Sequence, residues 1–230
     1  MERCAGYLRQ IAEKTQQFEW YSRYEAFAGV LGNHMGTGAR VLQVGCGNSP
    51  FAADMVAAGH VGEIVNVDIS ATVVELQAKV YNSLPATVSW HVGDCMALPN
   101  SAPFIEASFD VILDKGTADA LMCGGDTTAN VAAMRREANR MLRKRPVSGT
   151  TTAPCFISIT YGDPKSRVRW FSGTEEDWDV CVYAVEKALP HKALGPVQVS
   201  GTDDWQDKTR AWESDVYHYV YVCRVRMNQQ

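Results

Sequence analysis

Short apolar runs alternate with amphipathic stretches along most of the chain, and this alternation predicts its elements. Residues 40–45 form an apolar run that breaks at a glycine turn, and a second run at 64–67 ends on Asp68. Between the two runs, Phe51 and Met55 lie one helical turn apart, on one face of a predicted helix. The pattern therefore predicts a strand, a turn, a helix and a second strand, in that order.

The same alternation continues towards the C-terminal end of the chain. Helical periodicity recurs at residues 70–80 and 127–142, and the remaining apolar runs have the length and β-branched content of strands. Strands that alternate with helices predict an α/β fold with a doubly wound, mostly parallel sheet. Two strands close together near the C-terminus allow one antiparallel member. The five further predicted strands lie at 87–92, 109–114, 155–161, 178–182 and 217–225.

A single domain is expected from the length of the chain. A chain of 230 residues, 46% hydrophobic and 21% charged, can bury one large α/β core but is short for two. Residues 186–214 have no clear periodicity, and we interpret them as an irregular insertion between the last two strands. Residues 1–38 contain an aromatic cluster, from Phe18 to Phe27, that either covers a ligand as a lid or packs against the core.

Charge and cysteine content indicate which partners and which cellular compartment to expect. A net charge of −4 provides no basic field, so a nucleic-acid partner is not expected. The seven cysteines include no CxxC pair, which favours a reducing compartment over a disulfide framework or a zinc site. The sequence has neither an apolar run near the roughly 20 residues that span a bilayer nor a signal-peptide core. These features are those of a cytosolic or nuclear protein, and of the two compartments we expect the cytoplasm, with no membrane or metal partner.

The turn after the first predicted strand has the composition of a nucleoside-binding site. The glycines of Gly45-Cys46-Gly47 let backbone amides approach a ligand, and Asp68 can accept hydrogen bonds from ribose hydroxyls. Pro50 occupies the position where the dinucleotide fingerprint requires a third glycine or alanine. S-adenosylmethionine, a nucleoside without phosphates, is therefore the better candidate ligand. The alternative is an ordinary tight turn, with Asp68 capping the next helix.

Two further groups of residues follow predicted strands and have chemistry suited to binding the cofactor or to methyl transfer. Asp94 could accept a hydrogen bond from the adenine amino group, with Cys95 and Met96 along the ring. Simple core packing would also explain Cys95 and Met96. Methyl transfer from a sulfonium is an in-line displacement that needs an aligned, neutral acceptor. Asp114 is the candidate catalytic carboxylate for an amine acceptor. Lys115 either contacts the cofactor or is a surface lysine.

Five stretches of the sequence match the motifs of one known family. The chain resembles the seven-β-strand methyltransferases, and within them the methyltransferase-like group that includes lysine methyltransferases of translation elongation factor 1-alpha. The similarity extends over nearly the whole chain. The stretches are FEWY at 18–21, LQVGCGNS at 42–49, IVNVDIS at 64–70, SFDVILDKGT with the following DAL at 108–121, and YHYVYVC at 217–223.

The resemblance implies a fold, a cofactor and a set of contacts. It implies a Rossmann-like class I methyltransferase sheet of seven strands with the last one antiparallel. It implies S-adenosyl-L-methionine as cofactor, S-adenosyl-L-homocysteine as product, and a protein substrate such as a translation elongation factor. The cofactor contacts that it implies come from Trp20, Gly45, Asp68, Ile69, Asp94, Cys95 and Lys115, to which the turn adds Cys46 and Gly47.

The function expected from the sequence is therefore S-adenosylmethionine-dependent methylation of a lysine on a protein. Two alternatives stay open. The chain could methylate a small molecule, or it could bind the cofactor as a scaffold without catalysis.

Overall fold

The computed structural model describes residues 18–59, 61–123, 127–144, 152–172, 178–188, 192–200 and 204–226. Residues 1–17, the first part of the predicted N-terminal segment 1–38, lie outside this description. Within the described residues, eight strands form one sheet. They are β1 (Ala39–Val44), β2 (Val61–Asp68), β3 (Val88–Val92), β4 (Val111–Lys115), β5 (Cys155–Thr160), β6 (Trp178–Glu186), β7 (Ala193–Gln198) and β8 (Tyr217–Val225).

The strand order places the carboxyl ends of the first five strands along one edge of the sheet. The order is β3-β2-β1-β4-β5-β8-β6-β7, and the neighbours among β1 to β5 pair in parallel. Strand β8 is antiparallel to both β5 and β6, which confirms the predicted antiparallel last strand. We call the edge where β1 to β5 end the carboxyl edge. Ligands of open α/β sheets bind outside this edge.

Helices cover both faces of the sheet. They are α1 (Tyr24–Gly32), α2 (Phe51–Ala57), α3 (Ala71–Val80), α4 (Thr117–Leu121), α5 (Thr127–Met141), α6 (Pro164–Phe171) and α7 (Trp205–Lys208). Because side chains alternate along a strand, β5 contributes Phe156 to the core under α5 and α6, and Ile157 to the core under α1 and α2. The helical stripe of α5 is buried as its periodicity predicts. Within the part of the chain described, none of the helices is long and apolar enough to cross a bilayer.

The prediction of seven strands, with an irregular segment at 186–214, is wrong at the C-terminal end. Strand β6 continues to Glu186, and β7 is an eighth strand that pairs antiparallel with β6 at the far edge of the sheet. The apolar pattern does not reveal β7, because Gly195 and Pro196 interrupt it and most of its side chains are exposed. Proline is tolerated in this position because an edge strand leaves part of its backbone unpaired.

Candidate active site

The turn between β1 and α2 packs directly against the turn that follows β4. Gly45 and Gly47 have positive φ angles of 59° and 56°, a backbone conformation that residues with a Cβ rarely adopt. A Cβ on Gly45 would lie 2.1 Å from Thr117 Oγ1, and that hydroxyl donates to the carbonyl oxygen of Val44 at 3.0 Å. Burial and the charge of Asp68 raise the pKa of Cys46 well above its usual value, so this thiol stays neutral. The backbone at Gly45 therefore lies so close to Thr117 that a residue with a side chain would not fit there.

Asp68 joins the glycine turn to the start of α3. Its Oδ2 accepts from the backbone N–H of Gly47 and its Oδ1 from that of Ser70, both at 2.9 Å. A carboxylate has about four lone-pair positions, so each oxygen keeps capacity for another donor such as a ribose hydroxyl. The next residue, Ile69, leaves 71% of its surface exposed. An oriented acid and an uncovered apolar side chain thus lie together at the end of β2.

The charges of three carboxylates act on the Cys95 thiol. Burial is the largest cause that raises the pKa of this thiol to about 12, and the charges of Asp114, Asp94 and Asp68 follow. Asp94 itself accepts from the backbone N–H of Met96 at 2.9 Å, which fixes the turn after β3. Cys95 and Met96 also pack against the core, so packing accounts for part of their placement. The ends of β2, β3 and β4 therefore form an acidic region around one neutral thiol.

Asp114 is wholly buried beneath the turn after β4. Its Oδ1 accepts from the backbone N–H of Thr117 at 2.8 Å and of Ala118 at 3.3 Å, and its Oδ2 accepts from Ser158 Oγ at 2.7 Å. Burial raises the pKa of Asp114 to about 6, against the opposing effect of the Ser158 hydrogen bond. These contacts favour a role in shaping the turn and the start of α4 over direct contact with an acceptor.

The raised pKa of Asp114 predicts a pH dependence of stability. Because the folded-state pKa of about 6 exceeds the ordinary 3.8, protonated Asp114 favours the folded state. This contribution is complete below about pH 4 and is lost as the pH rises through about 6, with a slope of at most about 1.4 kcal/mol per pH unit. We expect urea unfolding from pH 4 to 8 to show wild type losing stability relative to Asp114→Asn in this window.

A matched variant tests the assignment of this pH dependence to Asp114. Ser158→Ala removes the hydroxyl that stabilises the ionised carboxylate, so the window should move to higher pH. A free-energy difference between wild type and Asp114→Asn that is constant over the whole range would contradict the raised pKa.

The 19–21 segment is fastened to the carboxyl edge by side chains from three different elements. Ser49 Oγ donates to Glu19 Oε2 at 2.8 Å, and Lys115 Nζ donates to Glu19 Oε1 and, at 2.9 Å, to the carbonyl oxygen of Trp20. Tyr21 Oη donates to Asp119 Oδ2 at 2.7 Å. Lys115 is buried, so the surface-lysine alternative is wrong. Burial lowers the pKa of Lys115, although the neighbouring Glu19 acts in the opposite direction.

The N-terminal aromatic cluster divides into two parts. Tyr24 and Phe27 are buried in the core, as the packing interpretation expects. Phe18 and Trp20 are 42% and 41% exposed, and their rings meet edge to face with 5.2 Å between centroids. The second pair adjoins the carboxyl edge through the Trp20 backbone contact with Lys115. This position is compatible with a cover over a ligand.

Several residues at this edge were not singled out by their residue chemistry. Asp119 Oδ1 accepts from Thr160 Oγ1 and from Arg167 Nη2, both at 2.8 Å, and Glu19 pairs with Lys115. Glu19 and Asp119 lie inside the FEWY and DAL stretches that match the family, so the sequence carries a signal for both positions. Arg167 has no local signal, since one arginine in a polar helix is usually solvated.

Comparison with known proteins agrees with this geometry. Residues 36–149 match a family model described as a methyltransferase domain. The mouse (Mus musculus) protein named EEF1A lysine methyltransferase 4 is 30% identical over 171 residues, which cover 71% of this chain and 62% of that protein. The bovine (Bos taurus) eEF1A lysine and N-terminal methyltransferase is 35% identical over 128 residues, covering 55% and 18%. This chain therefore spans less than two thirds of either relative.

A solved structure extends the comparison to the fold. A S-adenosylmethionine-dependent methyltransferase from Methanosarcina mazei superposes with a TM-score of 0.54 at 10% identity, covering 86% of this chain and 98% of that one. At such identity the likeness concerns the fold alone. This chain has the class I methyltransferase fold and resembles the EEF1A lysine methyltransferase group.

Proposed function

We propose that this protein transfers a methyl group from S-adenosylmethionine to a lysine of a protein substrate. The observation that carries the proposal is that Asp68 accepts from Gly47 of the glycine turn at the carboxyl edge, where Asp94 follows the neighbouring strand β3. Both acids also raise the pKa of Cys95. The names of the relatives support the acceptor class, because both the mouse and the bovine protein are named as lysine methyltransferases of an elongation factor.

The residues at the carboxyl edge fit the proposed cofactor. Asp68 keeps unused acceptor capacity for ribose hydroxyls, and the exposed Ile69 supplies apolar surface for a base. Asp94 would accept from the adenine amino group, and Trp20 would cover the site. S-adenosylmethionine, when bound, supplies a methyl group on a cationic sulfonium. The predicted cofactor contacts are kept in the proposal as Trp20, Gly45, Cys46, Gly47, Asp68, Ile69, Asp94, Cys95 and Lys115.

The electrostatics of the edge suit a cationic ligand. Asp68, Asp94 and Asp114 all raise the pKa of Cys95, so their negative potentials overlap at one position. An acidic crevice of this kind attracts a positive charge and disfavours an anionic dinucleotide. The contribution that we assign to Asp114 is to hold the Lys115–Thr117 turn in place, rather than to remove a proton from the acceptor.

The substrate and the compartment are the further parts of the proposal. We assign the acceptor to a protein such as translation elongation factor 1-alpha, from the names of the relatives, and the site of action to the cytoplasm. No nucleic-acid or membrane partner is proposed.

The test measures binding first and transfer second. Calorimetry with S-adenosylmethionine and S-adenosylhomocysteine should give saturable binding to the purified chain. Transfer of tritiated methyl into recombinant elongation factor 1-alpha and into cell lysate should then label a protein, at a lysine located by mass spectrometry. Label confined to small molecules would support the small-molecule alternative. Binding without any label would support a scaffold, and absence of binding would remove the proposal.

A further inference from the structure

Tyr21 carries a hydroxyl whose lone pairs are unused within the described residues. Its Oη donates to Asp119 Oδ2 at 2.7 Å, and no described side chain or backbone N–H donates to it in return. A phenol oxygen has one proton to give and can accept hydrogen bonds as well. Because its proton is directed at Asp119, the lone pairs of Oη are directed away from that carboxylate.

The backbone and its neighbours hold Tyr21 rigidly in this orientation. Its φ of 68° is unusual for a residue with a side chain and costs about 1–3 kcal/mol. The ring lies so close to Gly116 that a Cβ there would be 3.1 Å from Tyr21 Cε2. The preceding carbonyl, that of Trp20, is fixed by Lys115. Strain that the surroundings maintain at a ligand edge is a feature of preorganised sites.

Asp119 is in turn held by other residues so that one of its carboxylate oxygens accepts the hydrogen bond of Tyr21. Its Oδ1 receives the hydrogen bonds of Thr160 and Arg167, and only Oδ2 faces the phenol. The Arg167 guanidinium lies 4.0 Å from the centroid of the Trp170 ring, which restricts its movement. Burial and then the charge of Asp119 raise the pKa of Tyr21, so the phenol stays protonated. It can therefore accept a hydrogen bond but cannot act as a base.

Aromatic rings border Tyr21 at the ends of β5 and β8. The Tyr21 centroid lies 6.2 Å from that of Tyr161 and 5.2 Å from that of His218. Burial is the largest cause that lowers the pKa of His218 to about 4, so its ring is neutral and does not repel a cation. Rings of this kind suit the aliphatic stem and the amine of a lysine. Asp114, the catalytic carboxylate predicted from the sequence, is wholly buried, and both of its oxygens accept hydrogen bonds from protein donors.

We infer that Tyr21 positions the acceptor: its Oη accepts a hydrogen bond from an N–H of the substrate lysine, and Asp119 orients it for that purpose. The inference rests on the proposed function and adds the group that aligns the amine. In the transfer step, the lone pair of the neutral amine forms the N–C bond while the C–S bond breaks, and its electrons stay on sulfur. The new ammonium then releases a proton to water.

The experiment uses n-butylamine as a probe of the lysine site, titrated by NMR into the protein saturated with S-adenosylhomocysteine. We expect wild type to bind the amine, and Tyr21→Phe to bind it at least about tenfold more weakly, the typical loss for a hydrogen bond to a charged group. Affinity for S-adenosylhomocysteine should change by less than about twofold, because the phenol oxygen is assigned to the acceptor. Tyr183→Phe is the matched control, since its hydroxyl bonds to His34, whose ring contacts Arg224 near the opposite, amino end of β5.

A second variant changes the direction of the hydrogen bond while keeping the phenol. In Asp119→Asn, the amide oxygen must face the donors Thr160 and Arg167, so the amide NH₂ faces Tyr21 and donates to Oη. Oη then accepts from the amide, and its own proton must turn away from residue 119, towards the position proposed for the substrate N–H. Amine affinity should therefore fall as in Tyr21→Phe. This variant decides the question if Tyr21→Phe does not fold.

The outcomes separate this inference from the proposed function. If wild type fails to bind S-adenosylhomocysteine, the proposed function fails and this inference with it. If S-adenosylhomocysteine binds but the amine does not, or if folded Tyr21→Phe and Asp119→Asn bind the amine as wild type does, the role of Tyr21 is overturned while the cofactor assignment stands. A thermal destabilisation of Tyr21→Phe without loss of amine affinity would likewise reduce Tyr21 to a structural residue.

Discussion

Gly45→Ala should lower the free energy of unfolding by about 2–5 kcal/mol, the sum of backbone strain and overpacking. The strain arises because residue 45 has a φ of 59°, and the overpacking because the new Cβ would lie 2.1 Å from Thr117 Oγ1. Chemical unfolding measures the change. Cofactor binding should weaken as well, because relieving the clash must separate the two turns that shape the crevice.

Two further variants separate the two causes. Gly38 has a φ of 80°, and no atom lies within 4 Å of the position that a Cβ would occupy there, so Gly38→Ala should show the strain alone, about 1–2 kcal/mol. Thr117→Ala in the Gly45→Ala background removes Oγ1 and Cγ2 but leaves the threonine Cβ at 2.9 Å. It should therefore recover only part of the loss. Equal losses for Gly45→Ala and Gly38→Ala would show that the two turns do not pack as described.

Asp68→Ala should weaken binding of S-adenosylmethionine by about 1–3 kcal/mol, or about 5- to 150-fold in Kd. The variant removes the proposed acceptor for the ribose hydroxyls and leaves the backbone N–H groups of Gly47 and Ser70 without their partner. The lost ribose acceptor and the unpaired N–H groups both belong to the proposed cofactor site, so we expect a large loss of cofactor affinity. Isothermal calorimetry with the cofactor and with S-adenosylhomocysteine measures it.

The control for Asp68→Ala removes the same charge elsewhere. Asp207, on α7, is exposed and pairs with the exposed Arg210, so Asp207→Ala should leave cofactor affinity within about twofold of wild type. Asp68→Asn should be intermediate, because an amide keeps one acceptor oxygen but cannot accept through its nitrogen. An Asp68→Ala protein that binds the cofactor as wild type does would remove Asp68 from the site.

Local spacing predicts the strands and the glycine turn well. An apolar run, two glycines and an acid at the end of the next run are all features of short segments, and β1, β2 and Asp68 lie where that pattern predicts. The mostly parallel, doubly wound character of the sheet follows as well, because strands joined by helices have few permitted arrangements. Strand β7 is not predicted, since an edge strand with Gly195 and Pro196 has no periodic apolar face.

The candidate site is predicted less completely than the fold. Residue type alone makes Asp114 the obvious candidate for the catalytic carboxylate and leaves Lys115 open to interpretation as a surface residue. The structure buries both and gives their polar atoms partners, so their chemistry differs from that of exposed side chains. Burial depends on what covers a residue, and the covering elements come from distant parts of the chain.

The sequence by itself determined the α/β class, the glycine turn and the acids that end the parallel strands, because each depends on neighbouring residues. Only the tertiary structure decided that Glu19 meets Lys115 and that Tyr21 meets Asp119, contacts between residues 96 and 98 positions apart. Such contacts form when strand order brings the ends of β4 and β5 beneath the 19–21 segment. No local sequence pattern predicts that the 19–21 segment lies over these strand ends, since the packing of the whole sheet stabilises this arrangement.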